Sequence, residues 1–391
     1  MWYQALSLLP YLVVGYLLFR GPSVPPLDVK RGVSAAAGVL TLLRRTPHDL
    51  GAADVLGNGT YTRNNSNSLA DLAAVLPDSR ASPAQSLTTA PLPVPERARP
   101  SRRHLTRAEA HDLIHEPAQY AALVYCGPSE TAKWLCGHHC DNLGNITVHA
   151  TGGNHAAVPW WIVVNNGTHT IVAAAGTNPH SLASVTDDLD IRHSVPTEDE
   201  FPGAPAAGVT LHRGFYRTFR RLAAGVRAGV ESSIGNESAP QILVAGHSLG
   251  GALGHLIAVH LQHTFPQAVV HARLFASPRV GNAHWADYVD ATLPHRSLHV
   301  VNYNDMVPHL PLREWGFRHP AGELWISRPN GDGEDYIVCE GQEDDQCLAS
   351  VEARPGGMGG FRQYLGLAVH LGGYAGVLVG RQSLCARGVA G

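Results

Sequence analysis

The chain has 391 residues, 44% of them hydrophobic and 16% charged, with a formal net charge of -3. That length and apolar content suffice to bury a substantial core, while the near-balanced charge excludes the basic footprint of a nucleic-acid binder. The 23 histidines are scattered, forming no tract, and read mainly as surface and loop residues.

From the N-terminus, residues 2–19 carry no charge and are strongly apolar from Ser7-Leu8-Leu9 to Leu17-Leu18-Phe19. The length lies between a signal-peptide core and a spanning helix, so residues 1–19 read as a signal peptide or a retained membrane anchor. Both direct the rest of the chain into the secretory route, extracellular if the segment is cleaved and membrane-anchored if it stays. Glycosylation sequons at Asn58, Asn64, Asn145, Asn166 and Asn236 suit that compartment. So does the even count of six cysteines. Residues 20–103 are rich in Ser, Pro, Ala, Asn and Arg, and only 33–43 looks able to form a helix. This segment cannot bury enough apolar surface to offset its ordering entropy and reads as a propeptide or disordered linker. Arg102-Arg103 would be a processing site at its end.

The globular domain spans residues 104–391. It opens on Thr106-Arg107-Ala108-Glu109, a capping-box pattern that starts a helix. Residues 160–165 and 170–175 read as buried strands around an Asn165-Asn166-Gly167 turn. A helix over 214–229, a strand at 241–245 and a helix over 250–265 follow. Residues 273–276 and 298–303 supply further strands. The alternation predicts an α/β domain with a central, mostly parallel sheet flanked by helices.

Gly246-His247-Ser248-Leu249-Gly250-Gly251 carries the chemistry. It is a G-x-S-x-G pattern between an apolar strand and a helix, the arrangement that lifts a serine hydroxyl clear of a sheet on a strained turn. The close packing of that turn needs glycine at Gly246 and Gly250, and the helix N-terminus aims backbone N–H groups at a developing oxyanion. A serine nucleophile needs a base, and the base needs an acid that fixes its tautomer. In chain order after Ser248 the acid is Asp305, just past the 298–303 strand; Asp287 and Asp290 fall in a helix and read as solvated charges. Three histidines follow Asp305. His370 lies in a glycine-rich stretch with room for a pocket, His319 precedes Pro320 in what reads as an exposed turn, and His309 is on the acid's own loop. His370 is the preferred base, with the other two as alternatives.

These stretches resemble the fungal class 3 lipases from about residue 120 to 379. The elbow, Phe275-Ala276-Ser277-Pro278-Arg279-Val280-Gly281-Asn282, Asn302-Tyr303-Asn304-Asp305-Met306-Val307-Pro308-His309, and His212-Arg213-Gly214-Phe215-Tyr216 match that family's motifs in order. The resemblance implies an α/β-hydrolase fold with a short lid helix and a Ser248–Asp305–His370 triad. It implies an oxyanion hole from Thr177, in Ala175-Gly176-Thr177, and the N–H of Leu249. The lid falls at residues 179–191, where Leu182, Val185 and Leu189 share one helical face. The disulfides implied are Cys126–Cys385, Cys136–Cys140 and Cys339–Cys347. Cys136-Gly137-His138-His139-Cys140 has no second ligand pair, so no metal and no cofactor are expected. The implied activity is a secreted, monomeric lipase acting on acylglycerol esters at a lipid–water interface. A feruloyl-type or soluble-ester esterase and a membrane-anchored, non-catalytic binding protein are the alternatives.

Overall fold

The structure, a computed structural model, describes residues 102–154, 158–177, 190–331, 335–351, 369–380 and 382–385. Two compact units divide the chain, Met1–Ala98 and Arg99–Gly391, and every described residue belongs to the second. The apolar N-terminal stretch, the segment that follows it up to residue 101, the sequons Asn58 and Asn64, and the expected lid residues Leu182, Val185 and Leu189 lie outside the described residues. Among the described residues, no helix is long and apolar enough to cross a membrane.

In chain order the strands are β1 (His104–Leu105), β2 (Thr147–Gly152), β3 (Trp161–Asn165), β4 (Thr170–Ala174), β5 (His193–Ser194), β6 (Leu211–His212), β7 (Gln241–His247), β8 (Val269–Phe275), β9 (Ser297–Asn302), β10 (Glu323–Ile326), β11 (Tyr336–Val338), β12 (Gly373–Tyr374) and β13 (Val377–Leu378). The helices are α1 (Arg107–Leu123), α2 (Pro128–Thr131), α3 (His138–Asp141), α4 (Arg213–Ile234), α5 (Leu249–Thr264) and α6 (Ala283–Thr292). Nine strands form one sheet in the order β1-β11-β10-β9-β8-β7-β4-β3-β2. Its centre, β4, β7, β8, β9 and β10, is parallel throughout. Antiparallel strands close both sides, β3 and β2 on one and β11 and β1 on the other. The central sheet is thus mostly parallel, as the alternating pattern predicted.

Side-chain alternation sorts the core into two layers. On β4, Val172 and Ala174 face a cluster built with α4, α5 and α6, whereas Ile171 and Ala173 face a cluster built with α1. On β7, Ile242 and Val244 join the first layer and Ala245 the second. The capping box forms as read: Thr106 Oγ1 accepts from Glu109 N–H at 3.2 Å, and the Glu109 carboxylate accepts from Thr106 N–H at 2.8 Å. It fixes the start of α1, whose buried Ile114, Ala118 and Ala121 cover the sheet.

Three disulfides join Cys126 to Cys385, Cys136 to Cys140 and Cys339 to Cys347. These are the pairs the resemblance implied, and Cys136 and Cys140 are therefore no thiolate pair. Of the described sequons, Asn145 and Asn236 are exposed. Asn166 is half-buried, its Nδ2 donating to Glu116 Oε1 at 3.1 Å and its Oδ1 accepting from His169 N–H at 2.8 Å.

Two expectations need correction. His319 is buried, not exposed; it stacks on His299 with ring centroids 4.8 Å apart, and its Nε2–H donates to Pro308 O at 2.8 Å. A proline neighbour signals a turn, but here the turn folds inward against β9. Asp290 lies in α6 as expected yet is not simply solvated. It is half-buried, accepting from Ala321 N–H at 2.9 Å and Gln342 Nε2 at 2.7 Å, and burial raises its pKa. Asp287 is exposed.

Candidate active site

The site lies at the C-terminal edge of the parallel strands, where loops gather in open α/β sheets. β7 ends in a sharp turn at Ser248, with φ 59° and ψ -128°, and α5 begins at the next residue. Positive φ is costly for a residue bearing a Cβ. The turn is held by Ser248 N–H donating to Phe275 O on β8 at 2.9 Å. It also requires both flanking glycines. A Cβ at Gly246 would lie 2.2 Å from Gly250 O, and one at Gly250 would lie 2.0 Å from Ala174 O at the end of β4. The neighbouring strands end in the same backbone region, at Ala276 (φ 49°) after β8 and Tyr303 (φ 48°) after β9. Left-handed backbone thus recurs where each of three parallel strands turns into the loop that follows it.

Asp305 follows β9 and is fully buried. Its Oδ1 accepts from Val307 N–H at 2.9 Å, and its Oδ2 accepts from His370 Nδ1–H at 2.8 Å. His370 is also fully buried, and its Nε2 has no hydrogen-bond partner among the described residues. The fold thus brings together the acid and the histidine that chain order had paired. His309 is half-buried, with its carbonyl accepting from Arg279. His319 is spent on the contacts described above, and it is His370 that takes Asp305 Oδ2.

The segment carrying His370 is held by residues the sequence did not single out. Asn302, the last residue of β9, donates from Nδ2 to Val369 O at 3.1 Å and to Asn330 Oδ1 at 3.1 Å. Asn330 in turn accepts from Gly373 N–H at 2.7 Å. The Asp305 loop is gripped from its other side by Arg279. This side chain forms a two-pronged buried pair with Glu343, at 2.7 and 2.9 Å, and also donates to Pro311 O at 3.1 Å. Burial opposes the charge on Glu343, but Arg279 outweighs it and holds the carboxyl down at about 2.

Thr177 is half-buried beyond the end of β4, and the parallel pairing of Ala174 with Gly246 brings that strand end beside the elbow. Leu249 opens α5, so its N–H is among the helix-start donors without an intrahelical acceptor. His247, the middle residue of Gly246-His247-Ser248, is fully buried. Its Nε2–H donates to the backbone oxygen of His370 at 2.9 Å, which leaves Nδ1 to accept from Tyr125 Oη–H at 2.8 Å. Burial, and then the neighbouring His370, hold His247 neutral, well below its usual range. Tyr125 was missed because a lone tyrosine before a cysteine carries no motif.

A serine on a strand–helix elbow, an acid after a later parallel strand and a histidine beyond it define the chain as an α/β-hydrolase. Comparison narrows the class. Residues 162–315 match the family described as Lipase (class 3). The secreted mono- and diacylglycerol lipase MDL2 of Malassezia globosa is 27% identical over 241 residues, 61% of this chain and 76% of that protein. MDL4 of the same organism is 29% identical over 180 residues, 46% of this chain. The chain thus spans 58% of the length of MDL4, less than two thirds. Among solved structures, the Rhizomucor miehei triacylglyceride lipase aligns over 73% of this chain and 100% of its own, with 25% identity and a TM-score of 0.59. The Yarrowia lipolytica Lip2 lipase, at 21% identity and TM-score 0.61, covers 73% of this chain and 98% of its own, and shows the same fold. Over residues 162–315 the chain is thus similar to the class 3 lipases.

Proposed function

We propose that the protein is a secreted serine esterase that hydrolyses carboxylic ester bonds of acylglycerols, with Ser248, His370 and Asp305 as its triad. The observation that carries this reading is the buried 2.8 Å pair of His370 Nδ1–H and Asp305 Oδ2, beside a serine held at φ 59°. With Nδ1 committed to Asp305, Nε2 is the nitrogen left to take the Ser248 proton. Ser248 Oγ attacks the ester carbonyl carbon as that proton moves to His370. The oxyanion is met by the N–H of Leu249 and by Thr177. Collapse expels the alcohol, which takes the proton from His370, and leaves an acyl-Ser248 ester. Water, deprotonated by His370, then attacks the acyl carbon, and the carboxylic acid departs as Ser248 regains its proton.

The acylglycerol substrate is supported by the printed activities of the relatives, which are mono- and diacylglycerol or triacylglyceride lipases. A lipid–water interface fits the exposed Ile191 and Val195, next to the expected lid, and the exposed Leu312 and Trp315 on the loop leaving β9. Export is supported by the three disulfides and the secreted relatives. Glycans at exposed Asn145 and Asn236, cleavage of the apolar N-terminal stretch and a monomeric state belong to the same reading.

The test is hydrolysis of p-nitrophenyl butyrate and of emulsified diolein and triolein by the full chain and by Ser248→Ala. The expected result is turnover of soluble ester and emulsion, abolished in the variant. Turnover of p-nitrophenyl butyrate alone would replace the lipase with a soluble-ester esterase. A folded chain with no activity would overturn the catalytic reading.

A further inference from the structure

The buried polar groups behind the elbow form a chain that runs in one direction. Gly176, in the loop after β4, packs its backbone directly against Tyr125 Oη. Tyr125 Oη–H donates to His247 Nδ1 at 2.8 Å, and His247 Nε2–H donates to His370 O at 2.9 Å. A carbonyl can only accept, so Nε2 of the neutral His247 carries the proton and Nδ1 accepts from the Tyr125 hydroxyl.

The packing around this chain is tight. A Cβ at Gly176 would sit 2.3 Å from Tyr125 Oη, 2.6 Å from His247 O and 2.8 Å from Ser248 Cβ. The His247 ring lies 4.6 Å from the His370 ring and meets Tyr374 edge-on at 6.1 Å. Tyr125, His247, His370 and Tyr374 are all at most 1% exposed. The elbow and the segment bearing the base therefore share one set of hydrogen bonds, and the loop after β4 packs against it at Gly176. Cys126, bonded to Cys385, fixes the backbone next to Tyr125.

We propose that Tyr125 and His247 are positioning residues that set the catalytic base against the oxyanion loop, so that His370 and the donors at residues 176–177 keep one fixed spacing. This rests on the triad reading above. The hydrogen bond from His247 holds the main chain of His370, and that main chain aims Nδ1–H at Asp305 and Nε2 at Ser248. Each link in a low-dielectric interior polarises the next, so removing one hydroxyl loosens both ends. In Tyr125→Phe His247 Nδ1 loses its partner, and Gly176 loses the hydroxyl it packs against. The His370–Asp305 bond is then less well aligned, and the imidazolium formed during turnover is less stabilised.

The experiment compares wild type, Tyr125→Phe, His247→Gln and His247→Leu in the full chain, on p-nitrophenyl butyrate across pH. Active enzyme is counted by fluorophosphonate labelling carried to its end point. In Tyr125→Phe, kcat per labelled site falls about 10- to 100-fold, the range for a displaced catalytic group. KM changes little, and the acidic limb of kcat/KM moves to lower pH. His247→Gln, whose amide can still donate to His370 O, retains more activity than His247→Leu. Wild-type kcat per site and an unmoved acidic limb in Tyr125→Phe would overturn the proposal, as would a loss explained wholly by fewer labelled sites. If Tyr125→Phe does not fold, the His247→Gln and His247→Leu comparison decides by the same criteria. Inactive wild type would instead refute the triad reading, which separates the two failures.

Discussion

Replacing Glu323 by glutamine should flatten the alkaline side of the domain's stability profile. Glu323 on β10 is 5% exposed. One carboxyl oxygen accepts from Leu348 N–H at 2.9 Å, and the other faces His299 Nε2 at 3.9 Å. Burial pushes its pKa up to about 8 from an ordinary 4.5, and the nearby Glu343 and Asp344 charges add to this. The folded chain therefore keeps a proton that the unfolded chain releases. The stabilisation is complete below pH 4.5 and is lost as pH rises through 8, at roughly 1 kcal/mol per pH unit. His255 and His319 act in the opposite sense. Burial lowers each to about 3 from 6.5, so their contribution is present above pH 6.5 and lost as pH falls towards 3. His212 and His271, each lowered by burial to about 4, act in the same sense, so stability falls more steeply on the acid side. The side-chain amide of the variant retains an acceptor for Leu348 and has no proton to release. Guanidinium unfolding free energies of wild type and Glu323→Gln should then nearly coincide at pH 5 and differ by roughly 3 kcal/mol at pH 8, favouring the variant. Parallel profiles would refute the reasoning, because Glu323 would then be ionised in the folded state.

Two further outcomes follow from particular contacts. Gly250→Ala places a methyl 2.0 Å from Ala174 O, so the elbow and the oxyanion loop must separate. Turnover of p-nitrophenyl butyrate should fall about 10²- to 10³-fold, the cost of a misplaced oxyanion donor, in a chain whose circular dichroism is unchanged. Converting Cys126 and Cys385 to serine opens a bridge between residues 259 apart. It should lower the unfolding free energy by up to about 5 kcal/mol, measured by guanidinium denaturation.

The parts of the fold legible in the sequence were those with strong local signals. β3, β4, β7 and α5 were found within one or two residues because their apolar runs are continuous and bounded by glycine or asparagine turns. α4 runs to Ile234, beyond the expected 229, because Val230 and Ile234 are buried against the sheet although Glu231, Ser232 and Ser233 break the pattern. β8 starts at Val269, earlier than the expected 273, since His271 and Arg273 interrupt an otherwise apolar strand. The antiparallel strands β1 and β11 are two and three residues long, and β1 pairs with β11 from distant chain. Within the site, Ser248 and Asp305 are marked by local motifs, and chain order points to His370. Tyr125, Asn302 and Asn330 act through contacts with residues 28 to 122 positions away, and no local pattern records such a partnership. His319 shows the converse, a local turn signal overruled by stacking on His299.

The Cys126–Cys385 bridge also changes what a protease can do to the molecule. Every peptide bond between those two residues lies inside a covalent ring, including those of the undescribed stretches 178–189 and 352–368. A single cut in that ring lengthens no gap and releases no fragment. A nick at 352–368 would leave His370 on a short arm still anchored through Cys385, with Asn302 and Asn330 in place to reseat it. On a reducing gel such a molecule would run as two pieces, while without reductant it would migrate as one chain that keeps His370. Clipping there would thus leave a scar in the covalent chain rather than a loss of the segment that carries His370.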